Sequence, residues 1–220
     1  MVRMRAGITT CVAIARDEHF AMLATQSKPK SRTRAKRLTA RRWTFDELAA
    51  EVPESNLPME LWDGELIMPP APSFFHQQIA FRFQKWLDAF VSKHGLGATV
   101  GAPVDMVLTS RRATQPDVLF ISKDRLHIIE DRVRDAADLV AEVLAPGSRQ
   151  RDRINKRDLY EQHGVREYWI IDPEAETVEV LTLDRGEYRL VGRWRPGEQA
   201  RSQLLKGFRV NVTELFSKDP

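Results

Sequence analysis

Asp138-Leu139-Val140-Ala141-Glu142-Val143-Leu144, a polar segment at 149–163 closed by Gly164, then Val165-Arg166-Glu167-Tyr168-Trp169-Ile170-Ile171-Asp172 form the stretch that decides the fold. The two apolar runs have strand length, and the polar segment between them has helix length. A helix inserted between two strands returns the chain to the end it started from, so the two strands pair in parallel. Glu142 interrupts the first of these runs. A carboxylate inside a strand that reads as buried is costly unless it is paired, protonated or bound to a cation.

The surrounding chain extends this pattern in both directions. Upstream, apolar stretches at 98–108 and 117–121 each have the length of a strand, and Asp117 opens the second of them after Pro116. Before these, Phe75, Ile79, Phe83, Trp86, Leu87 and Phe90 recur at three- and four-residue steps, which predicts a helix over 74–93 stopped by Gly95 and Gly97. Glu60-Leu61-Trp62-Asp63-Gly64-Glu65-Leu66-Ile67-Met68 reads as two short strands about an Asp-Gly turn. Thr44 with Glu47 three residues on is a capping box at the start of the folded part. Downstream, 177–183 and 188–194 alternate around Asp184-Arg185-Gly186 as a closing antiparallel hairpin. The prediction is an α/β domain, with a mixed β-sheet flanked by helices and additional antiparallel hairpins.

Charge divides the chain. Residues 1–42 hold eleven Lys/Arg against two acids, a net of +9, which leaves 23 basic and 29 acidic residues in 43–220, a net of −6. The expected organisation is therefore a basic, disordered leader over 1–42 and a single domain over 43–220. The run Lys28, Lys30, Arg32, Arg34, Lys36, Arg37, Arg41, Arg42 contains no acid and would bind polyanions by counterion release, without sequence information. The competing reading is a merely solvated leader, or an over-extended start with Met22 as first residue. With one cysteine, Cys11, the chain cannot form an intrachain disulfide or a zinc site built on several thiolates, and a reducing, cytoplasmic setting is expected. No stretch approaches the length of a membrane span. The apolar patch around Cys11 is too short and too interrupted for a signal peptide.

Asp117 and Glu142 open or interrupt consecutive apolar runs, and Lys156 follows one short helix later. If those strands pair, the two carboxylates could hold Mg²⁺ or Mn²⁺, hard cations that keep several waters and need only a few oxygen ligands. Lys156 could then reach an attacking water or the scissile phosphate. The chemistry suggested is metal-dependent phosphodiester hydrolysis. The same spacing also arises from structural ion pairs.

Five ordered blocks carry a resemblance. Glu60 to Leu66 with Pro70-Ala71-Pro72-Ser73 and His76, then Gln115-Pro116-Asp117-Val118, then Asp138 to Leu144, then Asp152…Lys156…Tyr160, then Gly164 to Trp169 together resemble the Uma family of restriction endonucleases. That family is a branch of the PD-(D/E)XK nuclease superfamily, and the likeness spans about residues 43 to 215. It implies a restriction-endonuclease-like core and an Mg²⁺-dependent endonuclease acting on DNA. Asp117 is similar to the bridging metal-ligand aspartate and Glu142 to the second acid, with the Val143 carbonyl a further oxygen ligand and Glu60 completing the metal shell. Lys156 corresponds to a displaced lysine, because the superfamily's usual lysine position is here Leu144. His76, Asp152 and Tyr160 are expected beside that shell. Lys156, on a polar helix, is expected to contribute nothing to the core, with Lys85 and Lys123 the fallback cations.

Two other classes stay open at this point: a catalytically silent nucleic-acid-binding or accessory protein, and a hydrolase of RNA or small molecules on the same scaffold. A homodimer would suit double-strand cleavage.

Overall fold

The computed structural model describes residues 41–52, 58–145 and 151–218. The expected leader lies outside the described residues except for Arg41 and Arg42. These two belong to the folded part: Arg41 stacks over Trp43 at 4.0 Å and pairs with Glu51, while Arg42 pairs with Glu65.

The chain begins with α1 (Phe45–Glu51), whose N-cap Thr44 and third residue Glu47 exchange the two hydrogen bonds of a capping box. Strands β1 (Glu60–Trp62) and β2 (Glu65–Ile67) then form a hairpin. The long helix α2 (Phe74–His94) runs from the Ser73 cap to Gly95, which takes the left-handed conformation at φ 60°. Next come β3 (Gly97–Gly101), β4 (Met106–Thr109), β5 (Arg112–Thr114), β6 (Val118–Ser122), a 3₁₀ turn at Lys123–Ile128 and β7 (Leu139–Val143). A π-helical turn, Arg151–Lys156, leads directly into α3 (Arg157–Gln162). The remaining elements are β8 (Glu167–Asp172), β9 (Thr177–Asp184), β10 (Glu187–Trp194), β11 (Gln199–Arg201), β12 (Arg209–Asn211) and α4 (Val212–Phe216).

Among the described residues the main sheet has six strands in the order β10-β9-β8-β7-β6-β3, and only β7 and β8 are parallel, joined through α3 as the strand–helix–strand pattern requires. A separate four-stranded sheet has the order β2-β1-β5-β4. The apolar stretch 98–108 departs from the single strand expected. It divides at Ala102-Pro103 into β3, in the six-stranded sheet, and β4, in the four-stranded one. Proline has no N–H for a ladder, so the chain changes sheets there.

Side-chain alternation assigns the two faces of the main sheet. Val118, Phe120, Leu139, Ala141, Trp169 and Ile171 face one way and pack on Ile79, Phe83, Leu87 and Val91 of α2. Leu119, Ile121, Val140, Tyr168 and Ile170 face the other way, with Leu159 and Tyr160 of α3. Phe83, with no exposed surface, is one of several such anchors; its truncation to alanine would cost about 3–5 kcal/mol. The small sheet has its own cluster around Trp43, Phe45, Leu48 and Leu61. Glu167 is fully buried yet satisfied, accepting from Trp169 Nε1, Ser202 Oγ and the Gln203 and Leu204 amides. It fastens the segment before β12 to β8 and has no part in the site.

Candidate active site

The β1–β2 hairpin turns at Asp63 (φ 48°) and Gly64 (φ 85°), the two positive angles of the tight turn that an Asp-Gly pair adopts readily. A Cβ at Gly64 would also sit 3.0 Å from the Trp43 carbonyl oxygen. This turn sets the register of Glu60, the first residue of β1, against Ile67. The Trp62 indole donates to Glu60 Oε2 at 3.1 Å, which fixes one end of that carboxylate.

In the main sheet Val118, the first residue of β6, lies opposite Ala141, so Asp117 just before it sits beside the Glu142-Val143 end of β7. Asp117 Oδ2 accepts the Val143 amide at 2.7 Å, replacing the ladder bond that the strand would otherwise lack at its end. The two acids singled out from sequence are thus brought together at one end of the sheet.

Lys156 ends the π-helical turn and reaches both glutamates. Its Nζ is 2.9 Å from Glu60 Oε1 and 2.8 Å from Glu142 Oε1, and all three residues are 3% exposed. This corrects the expectation of a lysine on a solvated helix face. The ammonium lies between two buried carboxylates from two different sheets, so it contributes to the fold as well as to the site. Tyr160, one turn on, donates to Glu142 Oε1 at 2.6 Å. Burial, reinforced by the Glu142 charge, pushes its hydroxyl pKa well above the ordinary tyrosine value, so it remains a donor. Lys85 and Lys123 are exposed and do not line the cleft.

His76, in the first turn of α2, approaches from the opposite face of the sheet. Its Nε2 is 2.8 Å from the Val143 carbonyl oxygen and 3.4 Å from Asp117 Oδ2. A carbonyl can only accept, so Nε2 carries the proton. Nδ1 is buried without a hydrogen-bond partner among the described residues. The side chain of Asp152 lies outside the described residues. Glu60, His76, Asp117, Glu142, Val143 and Lys156 line a cleft of about 710 Å³, together with Pro69 to Ser73, Ala145 and Pro173.

Sequence reasoning did not find Arg153. Its Nη2 bonds Glu179 Oε1 at 2.7 Å and approaches Asp172 Oδ2 at 3.4 Å, tying the π-helical turn to β8 and β9. Both acids are nearly buried. No local pattern signals this pairing, since the partners lie 19 and 26 residues away.

The donor chemistry suits a hard divalent cation. Asp117, Glu142, Glu60 and the Val143 carbonyl offer only oxygens, and three carboxylates against one ammonium leave a formal charge of −2. Among the described residues no three acidic or histidine side chains converge at metal-ligand spacing. Lys156 supplies the positive charge between Glu60 and Glu142 instead.

Comparison with known proteins agrees with this architecture. A family model, Uma2, described as "Putative restriction endonuclease", matches residues 44–213. The fold is similar to a crystal structure described as "a putative nuclease belonging to DUF820" from Anabaena variabilis, with a TM-score of 0.66 and 21% identity over 79% of this chain and 97% of that one. No curated protein matches. Among the described residues no helix is long and apolar enough to cross a membrane.

Proposed function

Because this chain belongs to the Uma2 family, we propose that it is a metal-dependent endonuclease hydrolysing DNA phosphodiester bonds in the cleft around Asp117, Glu142 and Lys156. The observation that carries this reading is that Asp117 and Glu142 line one cleft at the end of the sheet, with the Lys156 ammonium 2.8 Å from Glu142. Asp117, Glu142 and the Val143 carbonyl would hold Mg²⁺ or Mn²⁺, with Glu60 beside them. Such an ion, when bound, lowers the pKa of the attacking water and offsets charge developing on the phosphate. Lys156 contributes a fixed ammonium, aimed by two carboxylates, that can donate to the water or to a phosphate oxygen. Tyr160 holds the Glu142 carboxylate in place, and His76 fixes the Val143 carbonyl and Asp117.

The basic leader would raise DNA affinity without selecting sequence. Because Arg41 and Arg42 pair with the folded part, the truncation that tests this begins at residue 41. Equal affinities and equal salt dependence for the full and truncated chains would remove the leader from the binding.

One observation favours the silent-scaffold reading: the Lys156 ammonium bonds both Glu60 and Glu142 and so offsets their charge itself. Cleavage of supercoiled plasmid with Mg²⁺ or Mn²⁺, beside an Asp117→Asn control, separates the two. Metal-dependent nicking that disappears in the variant supports the enzyme. Equal activity in both preparations, or none in either, refutes it.

A further inference from the structure

We propose that Lys218 is a phosphate-binding residue of this cleft, delivered there by the segment that follows α4; the inference rests on the nuclease reading above. The electrostatics of the cleft pose the problem. Glu60, Asp117, Glu142, Glu174 and Glu176 all line it, and a nucleic-acid backbone is itself anionic. Among the described lining residues the only basic side chains of the Lys/Arg type are Lys156 and Lys218. Lys156 is buried between Glu60 and Glu142. Lys218 is exposed, and its ammonium rests 5.9 Å from the Phe75 ring, with no carboxylate contact among its described neighbours. A ring face holds an ammonium in position without neutralising it, so the charge stays available to an incoming anion.

The placement of Lys218 is built by the fold. Asn211 caps α4 by accepting the Thr213 and Glu214 amides, and Leu215 and Phe216 bury into the core beneath α2. From α2, Arg82 then reaches across and donates to the Leu215 and Ser217 carbonyls, which fixes the backbone immediately before Lys218. Phe75 and His76 are neighbours on the same helix, so the first turn of α2 presents Lys218 and the Asp117 contact to one cleft. A phosphate held by Lys218 would keep the backbone at the mouth while a neighbouring phosphodiester meets Asp117 and Glu142.

The test is binding of a short DNA duplex to the full chain, in Ca²⁺ buffer to suppress cleavage, over a salt series. Lys218→Ala is expected to weaken binding about three- to tenfold and to reduce the slope of log K against log salt by about one. Lys218→Arg should restore both, since a guanidinium also binds phosphate. Lys206→Ala, an exposed lysine outside the cleft lining, controls for the same change in net charge. In turnover the Lys218→Ala loss should fall on KM rather than kcat. If Lys218→Ala matches Lys206→Ala in affinity and slope while the wild type binds DNA, this inference is wrong and the nuclease reading stands. If the wild type binds no DNA at all, the nuclease reading fails and takes the inference with it.

Discussion

Lys156 and Glu60 meet at 2.9 Å across the seam between the six-stranded and four-stranded sheets. The lysine comes from the crossover between β7 and β8, the glutamate from the first strand of the small sheet. Their contact makes the candidate site part of what holds the two sheets together.

Lys156→Ala should therefore lose stability as well as turnover. Removing the ammonium leaves Glu60 and Glu142 buried without their shared counter-charge, a change that costs about 3–5 kcal/mol when one partner of a buried pair is deleted. Urea unfolding measures it, and a difference below about 1 kcal/mol would place the pair among surface-like contacts. Mg²⁺ should raise the melting temperature of the variant more than that of the wild type.

Asp117→Asn separates charge from geometry. An asparagine carbonyl can still accept the Val143 amide that Asp117 Oδ2 accepts at 2.7 Å. Thermal unfolding should change little, while metal-dependent turnover should fall by about a hundredfold or more. A variant that cuts at the wild-type rate would dismiss Asp117 from catalysis.

Tyr160 and Tyr188 make stability sensitive to alkali. Burial raises both hydroxyl pKa values, with Glu142 adding to the effect at Tyr160 and Glu161 at Tyr188. In the unfolded chain these groups lose their protons near pH 10, whereas in the fold they keep them. Above that pH the folded state binds more protons than the unfolded one, so stability falls as pH rises. Tyr160→Phe should soften this alkaline slope, at the expense of about 1–3 kcal/mol near neutrality for the Glu142 hydrogen bond. Parallel slopes for the variant and wild type would contradict the assignment.

Asp138 governs the acid side. Burial works to raise its pKa, but the Ser122 amide at 2.8 Å and the Arg125 guanidinium outweigh that and hold it below the usual aspartate value. A depressed carboxylate stabilises the fold above its unfolded pKa, and the stabilisation fades as pH drops through the folded one. Asp138→Asn should cost about 1.5–3 kcal/mol at pH 7. The gap from wild type should close as pH falls below about 4. Denaturant titrations at several pH values would show it, and a gap independent of pH would count against the charge.

Much of this arrangement is legible in the sequence alone. The Asp63-Gly64 turn, the aromatic periodicity of α2 and the β7–α3–β8 crossover are local patterns, and each produced the element it predicted. Asp117 and Glu142 stood out because a lone acid beside an apolar run is energetically conspicuous. The position of Lys156 was not legible for the opposite reason: among Arg151, Asp152, Arg153, Asn155 and Arg157 a lysine looks solvated. Its burial is created by Glu60, 96 positions away in the chain. Strand β5 and the break at Pro103 were missed because the second sheet draws its strands from separate segments, and three-residue strands carry no periodicity. The 3₁₀ turn and the β11–β12 pair lie under the same limit.

The hydrogen bond from Trp62 to Glu60 gives the molecule an optical reporter of its own site. An indole whose N–H is held by a carboxylate emits differently from one released to water, and that carboxylate also touches Lys156. Any event that draws Glu60 away from its present partners, whether an arriving cation or a shift of the small sheet, would register in the emission of Trp62. Subtracting the spectrum of a Trp62→Phe variant isolates that signal from the other four tryptophans, so occupancy of the site can be followed without a label.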